Sequence, residues 1–111
     1  MREFEQLTSI ASANEFIQRH KLSFLFIFGT DCSVCHALQP QVLRLMMKYP
    51  EIALGAIDAQ EVKEVAGRFS IFTIPVLLLF VDGKEYIREA RIVHLDLFDE
   101  KIRKIYDFVT G

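Results

Sequence analysis

The chain has 111 residues, enough for one hydrophobic core without disulfide or metal staples, and it reads as a single domain over residues 1–111. Hydrophobic residues make up 51% and charged residues 25%, which excludes a disordered chain, and a formal charge of −2 favours neither nucleic acid nor an anionic membrane as partner. Two cysteines this close together cannot cross-link distant parts of a fold, so they read as catalytic or metal-binding.

Glu3 to Leu7 alternates polar and apolar and suits a short edge strand. Ser12 with Glu15 reads as a capping box that opens a helix through about His20, with Phe16 and Ile17 inward. Leu22 to Phe28 is nearly continuous apolar, as in a central strand covered on both faces, and the run of Phe24, Phe26 and Phe28 reads as core packing. The run breaks at Gly29-Thr30-Asp31. A helical pattern from Cys32 to Tyr49 follows, in which Val34, Ala37, Leu38, Val42, Leu45 and Met46 recur at three- and four-residue steps. Pro40 falls inside that helix and is expected to kink it, and Pro50 to end it.

Ile52 to Asp58 reads as the next strand, Glu61 to Phe69 as a short helix and Thr73 to Val81 as a further strand. Lys84 to Ile92 is its hairpin partner across Asp82-Gly83. The last helix runs from Leu95 to Val109, with Leu97, Phe98, Ile102, Ile105, Tyr106 and Val109 inward. The order is therefore β-α-β-α-β-α-β-β-α. Strands joined by helices are expected to pair in parallel and the final hairpin antiparallel.

A buried strand, a short turn and a cysteine pair opening a helix form the arrangement that dithiol–disulfide chemistry needs. The leading cysteine faces unpaired backbone N–H groups and the positive end of the helix dipole, which favour thiolate over thiol. Cys32 is read as the more exposed nucleophile and Cys35, one turn in, as the resolving thiol.

The strand, the C-x-x-C pair and Pro40, five residues after the second cysteine, resemble the active-site segment of the thioredoxin family. Thr73-Ile74-Pro75 leading into Val76-Leu77-Leu78-Leu79-Phe80 resembles the family's cis-proline loop, and Asp82-Gly83 its hairpin turn. The likeness spans almost the whole chain. It implies an α/β thioredoxin fold, a central mixed β-sheet flanked by helices on both faces. It also implies a thiol–disulfide oxidoreductase exchanging the Cys32–Cys35 dithiol with protein or low-molecular-weight disulfides, served by an electron donor of the thioredoxin-reductase type. Further, it implies a cis Ile74–Pro75 bond, with Ile74 and Pro75 facing substrate. No cofactor and no metal are expected.

The chain departs from the family pattern at several positions. Ser33-Val34 replaces the common Gly-Pro between the cysteines, which leaves the direction of exchange open. Asp31 stands where the family usually has tryptophan. It would oppose thiolate formation or cap the helix, and capping is the preferred reading. Phe26 and Leu54 occupy the positions of the family's buried acid and its neighbouring lysine, so proton transfer at the resolving thiol must use water or another group. Arg91 replaces the small groove glycine. It is read either as a substrate-binding residue of the groove, lowering the Cys32 pKa or binding an acidic partner, or equally as a solvated strand residue.

Other readings are weighed beside this one. Cys-Ser-Val-Cys-His formally matches covalent haem attachment, but that wants an exposed loop and a second axial ligand. Zinc held by Cys32, Cys35 and His36 has crowded geometry and no second cysteine pair. His36 then reads as a helix residue tuning the local field, and His20 and His94 as surface residues near helix ends. A second function class is a redox-responsive binding module with little turnover. The N-terminal stretch shows no apolar signal region and no run reaches membrane-spanning length, so a cytoplasmic monomer is expected.

Overall fold

In a computed structural model, which describes residues 2–90 and 92–111, nine elements follow the expected order. They are β1 (Glu5–Leu7), α1 (Ile10–Arg19), β2 (Leu22–Phe28), α2 (Ser33–Met46), β3 (Ala53–Asp58), α3 (Val65–Phe69), β4 (Val76–Val81), β5 (Lys84–Ala90) and α4 (Leu95–Thr110). The strands form one sheet in the order β1-β3-β2-β4-β5. β2 is paired on both edges and buried on both faces, which explains its nearly continuous apolar sequence. Phe24 and Phe26 point into a core beneath α2 and α4 with Val42, Met46, Leu77, Leu79, Phe98 and Ile102. Leu25 and Ile27 point the other way, toward Phe16 and Ile17 of α1 and Val65 and Phe69 of α3.

β1, β3 and β2 pair in parallel, as helix-joined strands should, but β4 runs antiparallel to β2 although α3 precedes it. The expectation of parallel pairing fails there for a reason of length. α3 has five residues, about 7.5 Å of helix, and cannot carry the chain back along six-residue β3, about 20 Å long. β4 therefore starts at the end of the sheet where β2 and β3 finish, with Val76 opposite Ile27. This brings the segment before β4 to the start of α2. The β4–β5 hairpin turns through Asp82 (φ 51°) and Gly83 (φ 81°), the paired positive angles that a two-residue turn between twisted strands demands.

Several expected details shift. The capping residue of α1 is Ser9, whose hydroxyl accepts from the Ser12 N–H at 3.0 Å while the Ser12 hydroxyl answers at the Ser9 N–H (3.1 Å). The box thus opens three residues earlier than Ser12 with Glu15 suggested. Leu97 is exposed because the buried stripe of α4 is the i, i+4 pair Phe98 and Ile102, and Leu97 lies a hundred degrees round from it. β4 begins at Val76 and β5 ends at Ala90, shorter than read, because Thr73 to Pro75 and Ile92 belong to loops. α2 runs through Pro40 and gives way at Met47 to a tighter turn, with Lys48 N–H bonding Leu45 O and Tyr49 N–H bonding Met46 O, before Pro50 is reached. Among the described residues no helix is long and apolar enough to cross a membrane.

The far end of α2 is tied down by polar groups that sequence patterning did not reveal. The Arg2 guanidinium donates to Met46 O (3.1 Å), Tyr49 O (3.0 Å) and Ile52 O, which ties the N-terminal segment to the end of α2 and to the turn that leads into β3. Asp99 of α4 accepts from the Tyr49 hydroxyl, from Lys48 and from Arg103. Burial raises the Asp99 pKa, but the bonds from Lys48 and Tyr49 outweigh it and hold the group below the usual carboxylate range. Arg2→Ala leaves three carbonyls without that donor and is expected to destabilise the fold by about 1–3 kcal/mol in urea denaturation. Unchanged stability would show that water replaces the guanidinium without cost.

Candidate active site

The site is assembled where β2 ends. Gly29 closes a turn in which its carbonyl accepts from the Cys32 N–H (3.1 Å), and Cys32 caps α2. A Cβ on Gly29 would stand 2.6 Å from Ile74 Cδ1 and 2.8 Å from the Gln60 side chain, so any larger residue here would have to displace the ends of both side chains. Cys32 and Cys35 are joined as a disulfide. Cys32 is half-buried and Cys35 fully buried, packed in the core that holds Phe24, Phe26 and Leu77. That is the exposure order expected of a leading and a resolving thiol.

The helix cap falls to the sulfur itself. The Cys35 N–H donates to Cys32 Sγ at 3.1 Å, so one of the unpaired N–H groups of the first turn is aimed at the leading cysteine. Asp31 does not cap the helix: it is exposed, and its own N–H donates to Gln60 Oε1 at 2.9 Å. The preferred reading of Asp31 is thus corrected. Cys32 lies one residue nearer the helix and occupies the capping position.

A polar latch holds the turn on its other side. The Thr30 hydroxyl donates to Asp58 Oδ2, and Asp58 Oδ1 accepts from the N–H groups of Gln60 (2.8 Å) and Glu61 (3.3 Å). Burial pushes the Asp58 carboxyl up, but these bonds prevail and keep it below the usual carboxylate range. It stays ionised at neutral pH and serves as an acceptor, not as a proton store. His36 Nε2 lies 2.8 Å from the Thr30 carbonyl oxygen, and its ring meets Phe28 edge-on with centroids 6.3 Å apart. Neither Thr30 nor Gln60 was singled out by sequence reasoning, because their partners lie almost thirty residues away and no periodicity links them.

The loop before β4 completes the site. Ile74–Pro75 is cis, Ile74 packs against both cores, and Pro75 lines an apolar depression with Val34, Leu38, Ile92 and Val93 beside the cysteine helix. Cys32, Cys35, Ile74 and Pro75 are therefore brought together, while Arg91 lies outside the described residues. Phe26 is fully buried, stacked between Phe4 (centroids 5.5 Å) and Phe28 (5.9 Å), so the floor under Cys35 is hydrocarbon. Among the described residues no group of three His, Cys, Asp or Glu side chains is placed to hold a metal.

Phe26→Asp tests that floor. A carboxylate placed there without a partner is expected to cost several kcal/mol or to take up a proton with a raised pKa, and in the protonated form to speed release of a mixed disulfide by serving Cys35. Urea denaturation with single-turnover kinetics measures both effects. Wild-type stability in this variant would contradict the buried register of β2.

Comparison with known proteins agrees with this geometry. The family model described as Thioredoxin matches residues 5–104. The chain is 48% identical over 111 residues to "Thioredoxin-like protein YdfQ" of Bacillus subtilis, covering 100% of this chain and 99% of that one. It is 30% identical over 82 residues to "Thioredoxin-1" of Saccharomyces cerevisiae, covering 71% of this chain and 80% of the relative. Among solved structures, mitochondrial thioredoxin 3 of Saccharomyces cerevisiae in its oxidised form superposes with a TM-score of 0.80 at 19% identity, covering 91% of this chain and 94% of that one. Fasciola hepatica thioredoxin superposes with a TM-score of 0.79 at 24% identity, covering 90% and 98%. With its fold, its cis-proline loop and its cysteine pair at the head of α2, the chain belongs to the thioredoxin family of thiol–disulfide oxidoreductases.

Proposed function

We propose that the chain exchanges electrons with disulfides of partner proteins through Cys32 and Cys35. The observation that carries the reading is the half-buried Cys32 at the head of α2, whose sulfur accepts from the Cys35 N–H, with Cys35 fully buried behind it. From the reduced state, the Cys32 thiolate attacks one sulfur of the substrate disulfide, forming a mixed disulfide and releasing the other sulfur as thiolate. Cys35, having lost its proton, attacks Cys32 Sγ. The Cys32–Cys35 disulfide forms and the second substrate sulfur leaves, so two electrons and two protons pass to the substrate. A reductase of the thioredoxin-reductase type would restore the dithiol, in keeping with a cytosolic setting. Support for both is the family relationship and a cysteine content that suits a reducing compartment.

A second reading keeps the fold and the disulfide but assigns slow turnover, making the chain a redox-responsive binding module. Phe26 and Leu54 favour it, because both are buried hydrocarbon where a proton relay to Cys35 would need polar groups. Insulin reduction with dithiothreitol separates the two. Acceleration over the uncatalysed rate supports exchange, and no acceleration supports the module.

The roles of the two sulfurs are tested in the same assay. Cys32→Ser is expected to abolish exchange, and Cys35→Ser to accumulate mixed disulfides with substrate, visible by non-reducing electrophoresis. Full turnover by Cys35→Ser, with nothing trapped, contradicts the assignment.

A further inference from the structure

We propose that His36 is a positioning residue for Cys32. Its Nε2–H, donated to the Thr30 carbonyl, closes a loop around both cysteines and keeps the Cys32 sulfur seated at the head of α2 once the disulfide has opened. The inference rests on the reading of Cys32 as the attacking thiolate and adds to it a residue that maintains that thiolate.

His36 Nε2 lies 2.8 Å from the Thr30 carbonyl oxygen. A carbonyl oxygen only accepts, so this nitrogen carries a proton whether the ring is neutral or charged. The bond joins the first turn of α2 to the turn that precedes it, and the chain between the two partners contains both Cys32 and Cys35. Each partner is also fixed from the sheet. The His36 ring meets Phe28, the last residue of β2, edge-on with centroids 6.3 Å apart. The Thr30 hydroxyl is bonded to Asp58, the last residue of β3, and the next backbone N–H, that of Asp31, to Gln60 Oε1 (2.9 Å). Thr30 is thus held to the sheet through its side chain and to the cysteine helix through its carbonyl.

The reaction itself creates the need for such a bond. In the oxidised chain the Cys32–Cys35 disulfide closes residues 32–35 into a ring. Reduction removes that covalent link just when the Cys32 sulfur must face the Cys35 N–H, which lies 3.1 Å away in the oxidised chain. Ser33 and Val34, between the cysteines, are both exposed, and neither fixes its backbone as proline would. The His36–Thr30 bond spans the same segment from two residues before Cys32 to one residue after Cys35. It contains no sulfur, so reduction leaves its partners chemically unchanged. A thiolate gains from a helix head only while it faces the N–H groups there, so a looser turn means a weaker thiolate.

The test is the pH midpoint of iodoacetamide alkylation of Cys32 in the reduced chain, with two substitutions that separate the donor from the ring. His36→Phe keeps a ring against Phe28 and removes the donor. His36→Gln keeps an amide N–H near the position of Nε2 and carries no charge at any pH. His36→Phe is expected to raise the midpoint by about half a pH unit or more, equivalent to about three-fold less thiolate at a fixed pH below the midpoint. His36→Gln is expected to stay at the wild-type value. The thermal midpoint of the oxidised chain, where the disulfide closes the loop, should change little in either variant. An unchanged alkylation midpoint in His36→Phe overturns the assignment. So does an equal shift in His36→Gln, which would trace the effect to the charge or shape of the imidazole. A clear fall in the thermal midpoint of oxidised His36→Phe also overturns it, by making His36 a structural residue. Alkylation needs no disulfide substrate, so a wild-type chain that fails to reduce insulin removes the oxidoreductase reading and leaves His36 to be judged on the midpoint alone.

Discussion

A single backbone N–H directed at a sulfur atom organises this molecule. Cys35 donates to Cys32 Sγ because Cys32 holds the capping position of α2, and a capping position must stand where a strand has ended and a helix has yet to begin. Everything that fixes that point therefore acts on the chemistry. β2 delivers the chain from the middle of the sheet, Gly29 allows the turn to pass against Ile74 and Gln60, and Thr30 with Asp58 fastens the turn to the end of β3. At the far end of the same helix, Arg2 and Asp99 hold the last turn in place. The helix carrying the cysteines is thus anchored by charged groups at one end and by hydrocarbon beneath.

The hydrocarbon has consequences of its own. Stacked Phe4, Phe26 and Phe28 form a floor that excludes water and offers Cys35 no proton acceptor. Asp58, the carboxylate bound to the Thr30 hydroxyl, is committed as an acceptor to three donors and held ionised. The first step of exchange is favoured by the helix start, while the second finds hydrocarbon, Phe26 and Leu54, in the core that holds Cys35. A thiol–disulfide oxidoreductase built this way relies on how well its partner is held during the mixed-disulfide stage, which gives weight to the apolar surface around Val34, Pro75 and Ile92.

How much of this could be read from sequence depended on whether the cause was local. β2 was legible from Leu22 to Phe28 because burial on both faces leaves a nearly continuous apolar run, interrupted by Ser23, between Lys21 and Gly29. Asp82-Gly83 announced its turn because few residues tolerate paired positive φ. The capping box was misplaced because only Ser12, with Glu15 three residues on, fits the usual pattern, whereas Ser9 closes its box with the hydroxyl of Ser12 in the place of a Glu or Gln. The reversal of β4 was not legible, because the helix before it reads from Glu61 to Phe69 in the sequence and only the five residues Val65–Phe69 are helical. Arg2, Thr30 and Gln60 gave no signal, since each acts on a partner 28 or more residues away.

The start of α2 is built to stabilise the thiolate of Cys32. The direct measurement is the rate of iodoacetamide alkylation of the fully reduced chain across a pH series, which reports Cys32 because Cys35 is buried. A titration midpoint well below the value of about 8.5 for an ordinary cysteine is expected. A midpoint at or above 8.5 would contradict it, and would mean that Asp31 and the apolar floor outweigh the N–H groups at the head of the helix.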